Sequence, residues 1–167
     1  MSVNEPLAVR RFDTPDEAAT EAVGASLAHA LPTGIGRALS VHLQGDLGAG
    51  KTTLVRGFLR ALGVTGSVRS PTYGLLEPYA VAGRTVLHLD LYRLAGPSEA
   101  GSLGLRDHDE PGAVWLIEWP ERGAAVLGPP DLRVVLQADR TAHHVIIEAL
   151  STEGLRWIDA AQPASAA

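Results

Sequence analysis

Cysteine is absent from the 167 residues, which excludes disulfides and thiolate metal sites. Lysine and asparagine occur once each, as Lys51 and Asn4. A guanine-reading N-K-x-D motif needs an asparagine followed by a lysine, so it cannot occur, and a GTPase switch of the usual kind is excluded. No apolar run approaches the roughly 20 residues of a membrane span, and the N-terminus has no basic-plus-apolar signal pattern. The expectation is a cytoplasmic protein with no membrane partner. A surplus of basic charge is also missing: the net charge is −5. Without a basic field the chain cannot hold DNA or RNA non-specifically. No DNA partner is expected, and any RNA is met through another protein.

What remains is the composition of an ordinary globular chain, 46% hydrophobic and 20% charged, long enough for a real core. Residues 1–150 read as one domain. Residues 151–167 read as a C-terminal extension, partly disordered, in which Leu155, Trp157 and Ile158 can pack as a final short element and AQPASAA at the end is disordered.

The stretch GDLGAGKTT, residues 45–53, organises the rest. Gly45, Gly50, Lys51 and Thr52 fill the fixed places of G-x-x-x-x-G-K-[ST]. Such a loop turns its backbone N–H groups inward around phosphate oxygens, which requires positive φ angles and no Cβ in the way. Its lysine is a compact charge on a flexible stem that reaches the β/γ-phosphates, and the Thr52 hydroxyl is placed for Mg²⁺. Context agrees. Residues 38–44 (ALSVHLQ) suit a buried strand. Leu54, Val55, Phe58, Leu59 and Leu62 repeat at helical spacing, and Gly63 follows as a helix-ending glycine.

Elsewhere the pattern is more ordinary. Thr14-Pro15-Asp16-Glu17 reads as a capping box, with Thr14 as cap and Glu17 at N3, opening a packing helix that ends at Pro32 and Gly34. A loop over 63–70 leads into Ser70-Pro71-Thr72, which is a common turn or a switch-like loop offering a hydroxyl. Residues 73–79 and 85–91 read as a hairpin joined through Ala82-Gly83. In HLDLYRL, residues 88–94, the side chains of His88, Asp90 and Tyr92 share one face. That face is a site beside the loop or, more commonly with such alternation, the solvent side of an antiparallel strand. Residues 97–105 suit a short helix, and the acidic turn at 107–112 carries no sign of a metal site. Residues 113–117 (AVWLI) are apolar without alternation, as in a strand covered on both faces, and end in Glu118 as a Walker B strand does. Of the two strand-end acids, Glu118 is assigned to metal support. Asp90 is assigned to orienting water or sensing the γ-phosphate, a split that is reversible. Residues 132–137 and 143–150 read as a last hairpin, with His143 and His144 on opposite faces.

The ordered set GDLGAGKTT, SPTY, HLDLYRL and LIEWPERG closely resembles the TsaE (YjeE) family, over about residues 14–150. The resemblance implies an α/β P-loop NTPase three-layer fold with a mixed sheet, a parallel core plus antiparallel hairpins. It also implies a weak Mg²⁺-dependent ATPase that binds ATP and ADP and joins the TsaD and TsaB proteins. The pathway is threonylcarbamoyl modification of adenosine 37 in tRNAs reading ANN codons, with tRNA met only through the complex. Position by position, Asp46, Leu47, Gly48, Ala49, Gly50, Lys51, Thr52 and Thr53 hold phosphates, and Thr52 with Glu118 holds Mg²⁺. Ser70, Pro71 and Thr72 match the switch-like loop, Asp90 an acid important for hydrolysis, and Trp119 a tryptophan near the nucleotide. The adenine side falls near Thr14 and the turn from Arg140 to Ala142. Two rivals stand beside this reading: a small-molecule P-loop kinase and a non-hydrolysing nucleotide sensor.

Overall fold

The computed structural model describes residues 5–71 and 74–161. Thr72, Tyr73 and the last six residues lie outside that range, so the expectations for the Thr72 hydroxyl and for most of the terminal AQPASAA fall outside it too. Seven strands form one sheet: β1 (Ala8–Asp13), β2 (Leu39–Gln44), β3 (Leu76–Val81), β4 (Arg84–Asp90), β5 (Val114–Glu118), β6 (Leu132–Ala138) and β7 (His143–Ala149). Their spatial order is β1-β7-β6-β2-β5-β4-β3. β2 runs parallel to both β5 and β6, and β4 runs parallel to β5. Antiparallel β7 and β1 extend one edge and antiparallel β3 the other. This is the mixed sheet expected, with hairpins flanking a parallel centre.

Covering both faces explains the apolar runs. Val114 and Leu116 of β5 point to one side and Trp115 and Ile117 to the other, each side meeting its own hydrophobic cluster. The first side is covered by α1 (Glu17–His29), α2 (Lys51–Ala61) and α4 (Thr152–Ala160). α3 (Pro97–Gly101) and a 3₁₀ turn at Leu105–His108 cover the second beneath β4 and β5. α1 and α2 cross almost in contact. A Cβ on Gly24 would lie 2.1 Å from the Leu54 carbonyl oxygen, and one on Gly57 would lie 2.1 Å from that of Glu21. α4 is drawn onto the same layer by Trp157, which is fully buried, packs edge-on to Phe58 and donates its indole N–H to the Leu27 carbonyl at 2.8 Å. Among the described residues no helix is long and apolar enough to cross a membrane.

Several local expectations are corrected. Thr14 does not cap α1. Its N–H continues the β1–β7 ladder by bonding the His143 carbonyl, so Asp16 becomes the cap and accepts from the Ala19 N–H at 2.8 Å. Glu17 is then the first helical residue and cannot be N3 of a capping box. The His88 face of β4 is not a solvent face, because β4 lies inside the sheet and His88 is fully buried. The helix read over 97–105 stops at Gly101, and Gly104, at φ 64°, starts the 3₁₀ turn instead. β1 had no reading from the sequence: its AVRRFD pattern is too polar to announce a strand, and pairing with β7 creates it.

Candidate functional site

β2 ends at Gln44 and the chain turns directly into the loop that precedes α2. The turn is possible because Gly45 has no side chain: a Cβ there would stand 2.6 Å from the Leu136 carbonyl oxygen. Gly50, at φ 104°, occupies the left-handed region at the helix entry. A side chain at either position would distort the cradle. Above the loop lies a cavity of about 530 Å³. Of the residues assigned to phosphates, Leu47, Gly48, Gly50, Lys51, Thr52 and Thr53 line it. Asp46 contributes from beneath, its carbonyl accepting from the Ala49 N–H and from Lys51. Ala49 packs against the core.

Lys51 is only 4% exposed. Its ammonium donates to the Gly45 and Asp46 carbonyls at 2.6 and 2.9 Å, and sits 4.2 Å from the centre of the Trp119 ring. Burial pushes its pKa below the usual lysine value, while the charges of Glu118, Asp90, Glu121 and Asp46 work in the opposite sense. Anionic phosphate oxygens are stronger acceptors than these neutral carbonyls, so the arrangement is suited to being exchanged. Trp119 has φ 57°, a left-handed conformation that costs energy in a bulky residue and clusters at ligand sites. Its ring also packs on Tyr92 at 4.9 Å, and Arg122 lies over the Tyr92 ring at 5.1 Å.

Glu118 and Asp90 both line the cavity, and β4–β5 register places them side by side. Their partners differ. The Thr52 hydroxyl donates to Glu118 Oε1 at 2.8 Å. Its proton thus committed, the Thr52 oxygen keeps its lone pairs for a cation. Asp90 instead accepts from the Ser70 hydroxyl and, at 3.0 Å, from the Tyr92 N–H. Hard oxygen donors of this kind suit Mg²⁺, which keeps water and phosphate ligands rather than a full protein cage. Among the described residues no group of three or more His, Asp or Glu side chains could hold a metal ion.

Thr14 and Ala142 are not among the residues lining this cavity. They adjoin each other: Thr14 is buried against His143, and the Ala142 N–H donates to Asp139 Oδ1 at 2.7 Å in the same turn. Glu17, Ser70, Pro71 and Arg93 do line it. Sequence reasoning missed Glu17 as a lining residue and missed the bond of His88 Nε2 to Glu118 Oε1 at 2.8 Å. The alternation in HLDLYRL was the available signal for the second.

Residues 14–146 match the family described as threonylcarbamoyl adenosine biosynthesis protein TsaE. The tRNA threonylcarbamoyladenosine biosynthesis protein TsaE of Haemophilus influenzae is 44% identical over 124 residues, which span 74% of this chain and 78% of that protein. The protein of the same name in Streptomyces coelicolor is 39% identical over 127 residues, 72% of this chain and 84% of that one. The crystal structure of Bacillus subtilis YdiB superposes with a TM-score of 0.72 at 25% identity, covering 91% of this chain and 93% of that one.

Proposed function

The chain belongs to the TsaE family of threonylcarbamoyladenosine biosynthesis proteins, and from that premise we propose that it binds ATP with Mg²⁺ and hydrolyses it slowly. The ATPase serves threonylcarbamoyl modification of adenosine 37 in tRNAs that read ANN codons. It acts with a TsaD–TsaB pair and meets tRNA only through that complex. The observation that carries the reading is the Thr52–Glu118 hydrogen bond of 2.8 Å, placed beside Lys51 in a single cavity.

In this reading the amides of residues 46–53 and the Lys51 ammonium orient the phosphates. Mg²⁺, when bound, would supply positive charge to the phosphate oxygens. Thr52 supplies an oxygen to it and Glu118 a carboxylate. Asp90, held by Ser70 and Tyr92, orients the attacking water. Thr72 belongs to the same switch-like loop as Ser70, Trp119 keeps the lysine aligned, and the adenine end lies towards Thr14 and Ala142.

Released phosphate, measured for the protein alone and with TsaD and TsaB added, tests this. The expected result is slow turnover that rises with the pair. No uptake of labelled ATP or ADP by the folded protein would overturn it. A phosphorylated small molecule in place of free phosphate would favour the kinase, and binding without turnover the sensor.

A further inference from the structure

His88 is fully buried at the centre of β4, between Glu77 of β3 and Leu116 of β5. Its chain neighbours Val86, Leu87 and Leu89 are buried aliphatic residues, so packing alone calls for another aliphatic side chain. An imidazole brings two ring nitrogens that need partners. Only one has a partner: Nε2 lies 2.8 Å from Glu118 Oε1, while Nδ1 is buried with none among the described residues. A buried polar atom left unmatched is a standing cost, which implies that the bond to Glu118 is the reason for the residue.

The geometry around Glu118 shows what that bond does. Oε1 accepts from two donors, Thr52 Oγ1 and His88 Nε2, each at 2.8 Å. Oε2 has no hydrogen-bond partner among the described residues, and Glu118 lines the cavity. An ionised carboxylate only accepts, so this bond puts a ring proton on Nε2. Asp90, on the same face of β4, takes its donors from Ser70 and Tyr92; His88 serves Glu118 alone.

We propose that His88 is a positioning residue that fixes Oε1 of Glu118 beside Thr52 and so leaves Oε2 available to the divalent cation of a bound nucleotide. The proposal rests on the ATP-binding reading above. A partner one bond removed from the metal typically changes affinity 10- to 100-fold.

The test uses Mn²⁺ as probe, followed by electron paramagnetic resonance on the full-length protein with ADP. Calorimetry of ADP binding in EDTA supplies a metal-free reference. His88→Leu removes the donor, and His88→Gln retains an N–H of similar reach. The expected result is Mn²⁺ binding weakened about tenfold or more in His88→Leu and largely restored in His88→Gln, with metal-free ADP binding unchanged in both. Should His88→Leu lose its cooperative melt, His88→Asn, whose amide is too short to reach Glu118, takes its place against His88→Gln. Parent-like Mn²⁺ affinity in the donor-less variant would overturn the proposal. So would equal loss in all variants with metal-free ADP binding falling in step, the signature of a merely structural role. Absence of ADP binding by the parent protein overturns the nucleotide reading and the His88 role with it, a result distinct from both.

Discussion

Glu118 joins two groups distant in the chain through one oxygen, so its removal affects more than a single contact. Glu118→Ala is expected to lower Mg²⁺-dependent ATP turnover by about 10- to 100-fold while metal-free ADP binding stays close to that of the parent. Steady-state phosphate release and calorimetry in EDTA check the two halves. Unchanged turnover would move the metal role to Asp90. On the opposite face of the sheet, His42 gives a pH prediction. Burial, with Arg133 nearby, pushes its pKa down to about 4. Between there and the ordinary histidine value the folded chain keeps the ring neutral while the unfolded chain takes up a proton. Stability from this group is therefore complete above pH 6.5 and is lost as the pH falls towards 4. The loss amounts to something on the order of 3 kcal/mol. Urea unfolding at pH 7 and pH 4.5 should show a smaller loss on acidification for His42→Gln than for the parent; equal losses would contradict the assignment.

At the scale of elements, the crossing of α1 and α2 determines where the glycine-rich loop before α2 sits. Gly57 lets α2 press against the Glu21 carbonyl, and Arg56 and Arg60 clasp the Glu21 carboxylate at 2.6 and 3.2 Å from the same helix. Gly57→Ala forces the backbones apart and should cost about 1–3 kcal/mol by overpacking, read from denaturant midpoints. The loop–helix unit itself was legible in the sequence, since its glycines and its 3.6-residue apolar period are local. The start of α1 was not. TPDE has the letters of a capping box, but the ladder to His143 claims Thr14 and hands the cap to Asp16. For HLDLYRL, alternation identifies which side chains share a face and is silent on what covers it. The covering layer over His88 comes from residues distant in the chain.

For the whole molecule, closure depends on ties between segments distant in the chain. Asp131 is buried and accepts from both Arg37 guanidinium nitrogens at 2.9 and 2.8 Å, from the Ser40 N–H at 2.9 Å and from the Ser151 hydroxyl at 2.6 Å. Burial alone would raise its pKa; these donors outweigh it and hold the carboxyl below the usual value. One residue thereby joins the start of β2, the start of β6 and the cap of α4. Beyond it, Trp157 packs against α1 and α2 in the layer they share. Trp157→Ala is expected to destabilise the fold by about 3–5 kcal/mol, measured by urea unfolding; a change below about 1 kcal/mol would show that the C-terminal helix is dispensable.

The sequence by itself determined the glycine-rich loop at 45–53, the strand before it and the helix after it, the two strand-end acids and the family. Each depends on neighbours along the chain, where spacing and allowed φ angles already limit the geometry. Only the tertiary structure decided that Thr52 meets Glu118 and not Asp90, that His88 lies behind that carboxylate, and that the Trp119 ring supports Lys51. Thr52 and Glu118 are 66 positions apart, and such a contact exists only once parallel strands align in register and a helix packs across them.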